Sequence, residues 1–184
     1  IAFDDFNSNI YGDNRVGFIR RGESGFSTFD HWASPIYLDS SQYIDINDGS
    51  KSSGETLSLS DDGSIVAVDF ISGSTRYVGV YRLTFAEDNS SISYEKVGSN
   101  IATQYSLDVD SGGNTTKKGT LKTSLSSDGS IIAISETDYY LQKGIVKVFQ
   151  NVNNNWIQLG DDIEGEAIGD QSGISISLSN DGSI

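Results

Sequence analysis

Leu57-Ser-Leu-Ser-Asp-Asp-Gly-Ser64 returns as Thr123-Ser-Leu-Ser-Ser-Asp-Gly-Ser130, and again as Ile176-Ser-Leu-Ser-Asn-Asp-Gly-Ser183. The first two copies run on as Ile65-Val-Ala-Val68 and Ile131-Ile-Ala-Ile134; the third is followed by Ile184, where its next strand begins. Each copy alternates apolar and polar residues and then meets Asp-Gly. That is a short strand followed by the strongest local hairpin signal. Asp62-Gly63, Asp128-Gly129 and Asp181-Gly182 therefore read as structural turns. A residue needed for catalysis is needed once, whereas these recur with every copy.

Working outward, two further elements recur. Val78-Gly-Val-Tyr-Arg82 matches Val146-Lys-Val-Phe-Gln150, with an N-terminal copy at Val16-Gly-Phe-Ile-Arg20. Tyr94-Glu-Lys-Val-Gly-Ser-Asn-Ile101 matches Trp156-Ile-Gln-Leu-Gly-Asp-Asp-Ile163, with a weaker copy at Phe29–Ile36. Each copy of this third element has an aromatic, a small residue four positions on, and Ile three further. Tyr94, Trp156 and Phe29 share one repeat position and are assigned to the core between units. Ala33 to Gly98 spans 65 residues, Gly98 to Gly160 spans 62 and Gly63 to Gly129 spans 66, but Gly129 to Gly182 spans only 53. The difference falls in the polar stretch Gln104–Lys118, read as a loop insertion.

Each unit then reads as four strands: Leu57–Ser60, Ile65–Phe70, Tyr77–Phe85 and Ser91–Val97, then Leu121–Ser126, Ile131–Ser135, Gly144–Gln150 and Asn155–Leu159. The fold class is all-β. A β-sandwich is the alternative, since it also has short, regularly spaced strands. A sandwich does not account for a sequence repeat, however, and four strands per roughly 62–66 residues points to antiparallel propeller-type blades. The units run 1–56 (partial first blade), 57–120 (second, with the insertion at 104–118), 121–173 (third) and 174–184 (start of a further blade). So few blades cannot close a ring, and the expectation is a fragment of a larger propeller. The start at Ile1-Ala2-Phe3, with no Met, basic or apolar leader, reads as a mature or partial chain.

Composition narrows the function. The chain has 184 residues, with 12 Lys+Arg against 26 Asp+Glu, one His, no Cys, no Met and one Pro. A net charge of −14 repels phosphate backbones and anionic membrane faces. No apolar run approaches the roughly 20 residues of a spanning helix. We expect no nucleic-acid partner and no membrane insertion. Absence of Cys removes disulfides, thiol catalysis and thiolate metal sites. One His, His31 beside Trp32, leaves multi-His metal sites and a Ser/His/Asp triad without support. Arg15, Arg20 and Arg21 lie too close together in sequence to form the Arg cluster of a sialidase. No catalytic residue is assigned, and the chain is not read as an enzyme. A glycosidase-like carboxylate pair is the least favoured reading.

With those residues in view, Leu59–Ala67 followed by Val78–Arg82 resembles WD40-like and FG-GAP-like β-propeller repeats. The likeness is greatest to the tandem repeat of large secreted algal and marine microbial proteins. Gly144–Phe149, Trp156–Ile163, Gly165-Glu166 and Gly169-Asp170-Gln-Ser-Gly173 follow that pattern nearly throughout. Residues 54–101 follow it moderately and residues 1–53 weakly. The resemblance implies an extracellular or cell-surface structural, adhesive or binding module, and no enzyme activity. Its partners would be neighbouring repeats or self-association, with glycans as an alternative.

Three candidate sites follow. Asp108, Asp110 and Asn114 place oxygen donors at alternate positions around Gly112 and form a candidate Ca²⁺ loop, Ca²⁺ being the one cofactor considered. Gly112 stands where a fifth-position acid would, no bidentate Glu follows, and an acidic surface turn explains the stretch as well. Asp45-Ile-Asn47-Asp48-Gly49 is a similar partial match. Asn89-Ser-Ser91 and Asn114-Thr-Thr116 are glycosylation sequons in expected loops. Tyr43, Tyr105, Tyr139, Tyr140 and Trp32 could stack on sugar rings, although strand aromatics more often pack in cores. Asp170, Ser172 and Gly173 read as the cap of a turn between units.

Overall fold

A computed structural model describes residues 2–4, 16–18, 52–72, 75–85, 92–104, 108–109, 115–116, 119–138 and 143–184. Among these residues there is no helix. The strands are β1 (Ala2–Asp4), β2 (Val16–Phe18), β3 (Ser52–Leu59), β4 (Ile65–Ser72), β5 (Thr75–Phe85), β6 (Ile92–Lys96), β7 (Ile101–Ala102), β8 (Asp108–Val109) and β9 (Thr115–Thr116). They continue with β10 (Gly119–Leu125), β11 (Ile131–Asp138), β12 (Ile145–Val152), β13 (Asn155–Gln158) and β14 (Ile163–Glu164).

Two antiparallel sheets carry the structure. One runs β3-β4-β5-β6 and the other β10-β11-β12-β13. A two-residue strand completes each: β7 pairs with β5 and β14 with β12. These additions lie on the same edge as β6 and β13, because the chain turns at a left-handed glycine (Gly98, φ 75°; Gly160, φ 68°) and carries on along the same neighbour. Two-residue strands are too short to show alternation, so the sequence gives no sign of them. Inside the 104–118 insertion, β8 and β9 form a small hairpin, with Asp108 opposite Thr116.

Strand pairing fixes which residues of the two units correspond. Ile65 faces Arg82 and Ile131 faces Gln150; Leu83 faces Tyr94 and Asn151 faces Trp156; Val78 faces Ile101 and Val146 faces Ile163. Tyr94 and Trp156 are thus equivalent, as are Val97-Gly98 and Leu159-Gly160.

The core lies between the sheets. Ile65, Ala67, Val78, Val80 and Ile101 of the first sheet pack with Leu121, Leu125, Ile132 and Ile134 of the second, with Val97, Phe149 and Trp156 against them. On the opposite face of the first sheet a second cluster holds Val66, Val68, Phe70, Tyr81 and Leu83. Every residue from Ile65 to Phe70 is therefore buried. A strand covered on both faces is apolar throughout, and β4 has only one charged residue in that run, Asp69.

Candidate functional site: the contact between repeat units

The turn after each first strand is the same hydrogen-bonded unit three times. In the first, Gly63 N–H donates to Ser60 O (2.9 Å) and Ser60 N–H to Ile65 O (2.9 Å). The Ser60 hydroxyl donates to Asp62 Oδ1 (2.8 Å) and accepts from Ile65 N–H (2.8 Å). The Asp62 carboxylate also accepts from the Ser64 N–H (2.8 Å) and hydroxyl (2.9 Å). Ser126, Asp128 and Ser130 repeat these bonds, and so do Ser179, Asp181 and Ser183. The loop is longer than a two-residue hairpin: residues 61–64 separate the paired ends. Only the glycine is left-handed (Gly63, φ 70°; Gly129 and Gly182, φ 68°). The aspartate acts through its side chain, satisfying donors that the loop leaves exposed.

The electrostatics follow. The N–H of the following serine, and then the serine hydroxyls, hold the Asp62 and Asp128 carboxyls below the usual carboxylate range. The same bonds bring Asp181 down to about 2. These aspartates are anions at neutral pH, and each accepts three hydrogen bonds from its own loop. They are built to hold a loop rather than to exchange a proton.

The turns also touch one another. Asp61 N–H donates to Ser127 O (3.0 Å) and Ser127 N–H to Asn180 O (2.8 Å), so the variable residue of each turn bonds to its counterpart in the next. The Ser127 hydroxyl reaches Asp61 Oδ2 at 2.6 Å. Glycine is required here by space as well as by φ. A Cβ at Gly129 would stand 2.7 Å from Ile65, the first residue of β4, and one at Gly182 would stand 2.7 Å from Ile131, the first residue of β11, whereas among the described residues nothing stands within 4 Å of a Cβ at Gly63.

At the other end of the interface, Trp156 reaches from the second unit into the first. Its indole N–H donates to Val97 O (2.9 Å), and Asn154 Oδ1 accepts from Gly98 N–H (2.7 Å). Asn153 and Asn154, at φ 51° and 63°, form the tight turn that presents both groups. A Cβ on Gly98 would meet the indole at 2.8 Å. Trp156 thus occupies the inter-unit position expected from its place in the repeat. Tyr94, its equivalent, packs edge-on to Tyr81 at a centroid distance of 6.0 Å and is more exposed. Phe29 lies outside the described residues.

Between these ends the interface holds charge. Asp69 and Arg76 form a buried ion pair at 2.6 Å with side-chain exposures of 0% and 5%. Asp69 Oδ1 accepts from Thr56 N–H (3.0 Å), and Arg76 leans toward Gly119 O (3.4 Å) across the interface. Both carboxylate oxygens of buried Glu136 accept from Gln104 N–H at 2.8 Å. The sequence reading missed this pair because the repeat does not carry it: Ser135 and Gly144 stand at the equivalent positions. There the Ser135 hydroxyl donates to Gly173 O (2.6 Å). Asp170 Oδ2 accepts from Ala167 N–H (2.6 Å), capping the turn that brings Ser172 N–H to Lys143 O (3.0 Å).

Asp108 sits on β8, while Asp110 and Asn114 of the candidate Ca²⁺ loop lie outside the described residues. So do both sequon asparagines, Asn89 and Asn114, together with Asp45–Gly49, His31, Trp32, Tyr43, Tyr105, Tyr139, Tyr140 and the three arginines. Among the described residues no group of three or more His, Cys, Asp or Glu is placed to hold a metal ion. Also among the described residues, no helix is long and apolar enough to cross a membrane. The chain matches no protein-family model, no curated protein and no solved structure.

Proposed function

We propose that the chain is a non-enzymatic structural or adhesive repeat module, built of propeller-type blades and forming part of a secreted or cell-surface assembly. The observation that carries this reading is the head-to-tail contact. The same turn residue in successive copies bonds to its successor, from Asp61 to Ser127 and from Ser127 to Asn180. Contacts of this kind are heterologous: each unit offers one face forward and a different face back. Such units form rings where the rotation closes and open arrays where it does not. Stability then rests on nearest-neighbour interfaces repeated along the chain. The carboxylates that recur in every copy are engaged in turn geometry, which supports a structural role over acid–base chemistry. The acidic surface and the resemblance to secreted tandem repeats support an extracellular setting.

The test is the native material itself, by denaturing intact mass beside native light scattering. This reading expects an assembly well above the 19.8 kDa of the chain, carrying hexose increments at Asn89 or Asn114. A bare 19.8 kDa monomer would sink it and favour a small sandwich-like binding domain.

A further inference from the structure

The forward face of the second unit repeats the surface that receives Trp156, but little covers it. In the first unit, Val80 and Ile101 are 0% and 7% exposed beneath the second sheet. Their equivalents are Val148, which is half-buried, and Ile163, which is 57% exposed. Leu159 N–H donates to Val148 O (2.8 Å), as Val97 N–H donates to Val80 O (2.8 Å), so the backbone of the receiving step is reproduced. Gly98 and Gly160 share the left-handed conformation. They differ in one respect. A Cβ at Gly98 would strike the indole of Trp156, whereas among the described residues nothing stands within 4 Å of a Cβ at Gly160.

We propose that the Leu159-Gly160 step, with Val148 and Ile163 beside it, is a docking slot for a β-hairpin of the Asn-x-Trp type. The occupant is a hairpin like Asn151–Gln158. Its tryptophan would lie on Gly160 and donate to Leu159 O, and its turn asparagine would accept from Gly160 N–H. The argument is continuity: the same surface, one unit earlier, holds this hairpin by these two bonds. A second copy of the chain cannot repeat the packing. Gly173 already lies against Ser135 and Val146, Leu178 N–H bonds Ser124 Oγ, and Gly182 covers Ile131. Residues 173–184 therefore occupy the place that the β3 of a second copy would need. The proposal rests on the repeat-module reading and gives its interface a chemistry.

The experiment titrates the full ¹⁵N-labelled chain with a cyclised peptide of Asn151–Gln158. The amide signals of Leu159 and Gly160 are expected to move saturably. A peptide carrying Trp156→Ala should bind at least tenfold more weakly. Gly160→Asn in the chain, a residue that tolerates the left-handed region, should abolish the shift while leaving the other signals in place. Three results would each overturn the slot: no movement at Leu159 and Gly160, equal movement with the Trp156→Ala peptide, or movement at Gly160 on concentrating the chain alone. A Trp156→Ala chain separates this failure from failure of the module reading. A peptide that shifts Gly98 in that variant but never Gly160 leaves unit-to-unit packing intact and removes the slot. A Gly160 titration in a chain that stays monomeric and free of carbohydrate keeps the slot and removes the assembly.

Discussion

Gly98→Ala and Gly160→Ala form a matched pair in which only one variable differs. Both glycines are left-handed, at φ 75° and 68°, so alanine at either position carries the same backbone strain, about 1–2 kcal/mol. At Gly160 nothing is added, because the new methyl enters open space. At Gly98 the methyl would lie 2.8 Å from Trp156 Cδ1 and 2.9 Å from Nε1. The indole cannot swing away without breaking its bond to Val97 O (2.9 Å) and unseating the Asn154 contact. Overpacking of that kind costs a further ~1–3 kcal/mol. Urea unfolding followed by circular dichroism reads the difference, with m-values compared to check that both variants unfold alike. In a chain of this length each kcal/mol moves Tm by roughly 2–4 °C. A Trp156→Ala background should remove the excess, so that Gly98→Ala then costs what Gly160→Ala costs. If Gly98→Ala is no more destabilising than Gly160→Ala in the native sequence, the tryptophan does not join the units and the interface argument fails.

The buried pair gives a second expectation. Asp69→Asn removes the carboxylate that pairs with Arg76 at 2.6 Å in a site where the arginine side chain is 5% exposed, which should cost ~3–5 kcal/mol, whereas Asp69→Leu with Arg76→Met should restore most of the loss in the same urea assay. Acid sensitivity follows from the turns. Asp62, Asp128 and Asp181 have folded pKa values lowered from 3.8, so their contribution is complete above that value and is lost as pH falls through the folded values, to about 2 for Asp181. Asp128→Asn should therefore lower stability at pH 6, and the gap to the native sequence should narrow as pH falls below 3.8. A gap that stays constant as the pH falls would mean the carboxylate charge is not what holds the loop. Ser127→Asp places a second carboxylate beside Asp61, where the serine hydroxyl now donates at 2.6 Å; thermal stability should fall at low salt and recover in 1 M salt, where the screening length is about 3 Å.

What could be read from the sequence is what the repeat encodes in side chains. Asp-Gly with a preceding serine was visible, and so was the aromatic position filled by Trp156, because both demand particular residues. The division of labour inside the turn was not visible: glycine alone takes the left-handed conformation, while aspartate binds donors. The pairing of Asp61, Ser127 and Asn180 was hidden for a physical reason. Its bonds run between backbone atoms, so the position is free to differ in every copy and looks like noise in an alignment of the units. Asp69 with Arg76 was hidden for the opposite reason. It is specific to one junction, and a search for self-similarity passes over whatever does not recur.

The variable turn position nevertheless has its own constraint. The backbone ladder brings its side chains together, as the contact from the Ser127 hydroxyl to Asp61 shows. Aspartate in adjacent copies would set two carboxylates against each other across a join whose bonds are too few to ignore it. The chain has Asp61, Ser127 and Asn180 there, so no two neighbours both carry charge. The second aspartate of each turn escapes this rule, since Asp62, Asp128 and Asp181 each find their donors inside their own loop. An acidic repeat can therefore be stacked head to tail despite its net charge of −14. The charges that recur are satisfied within a unit, and the position that faces the neighbouring unit is the one that changes.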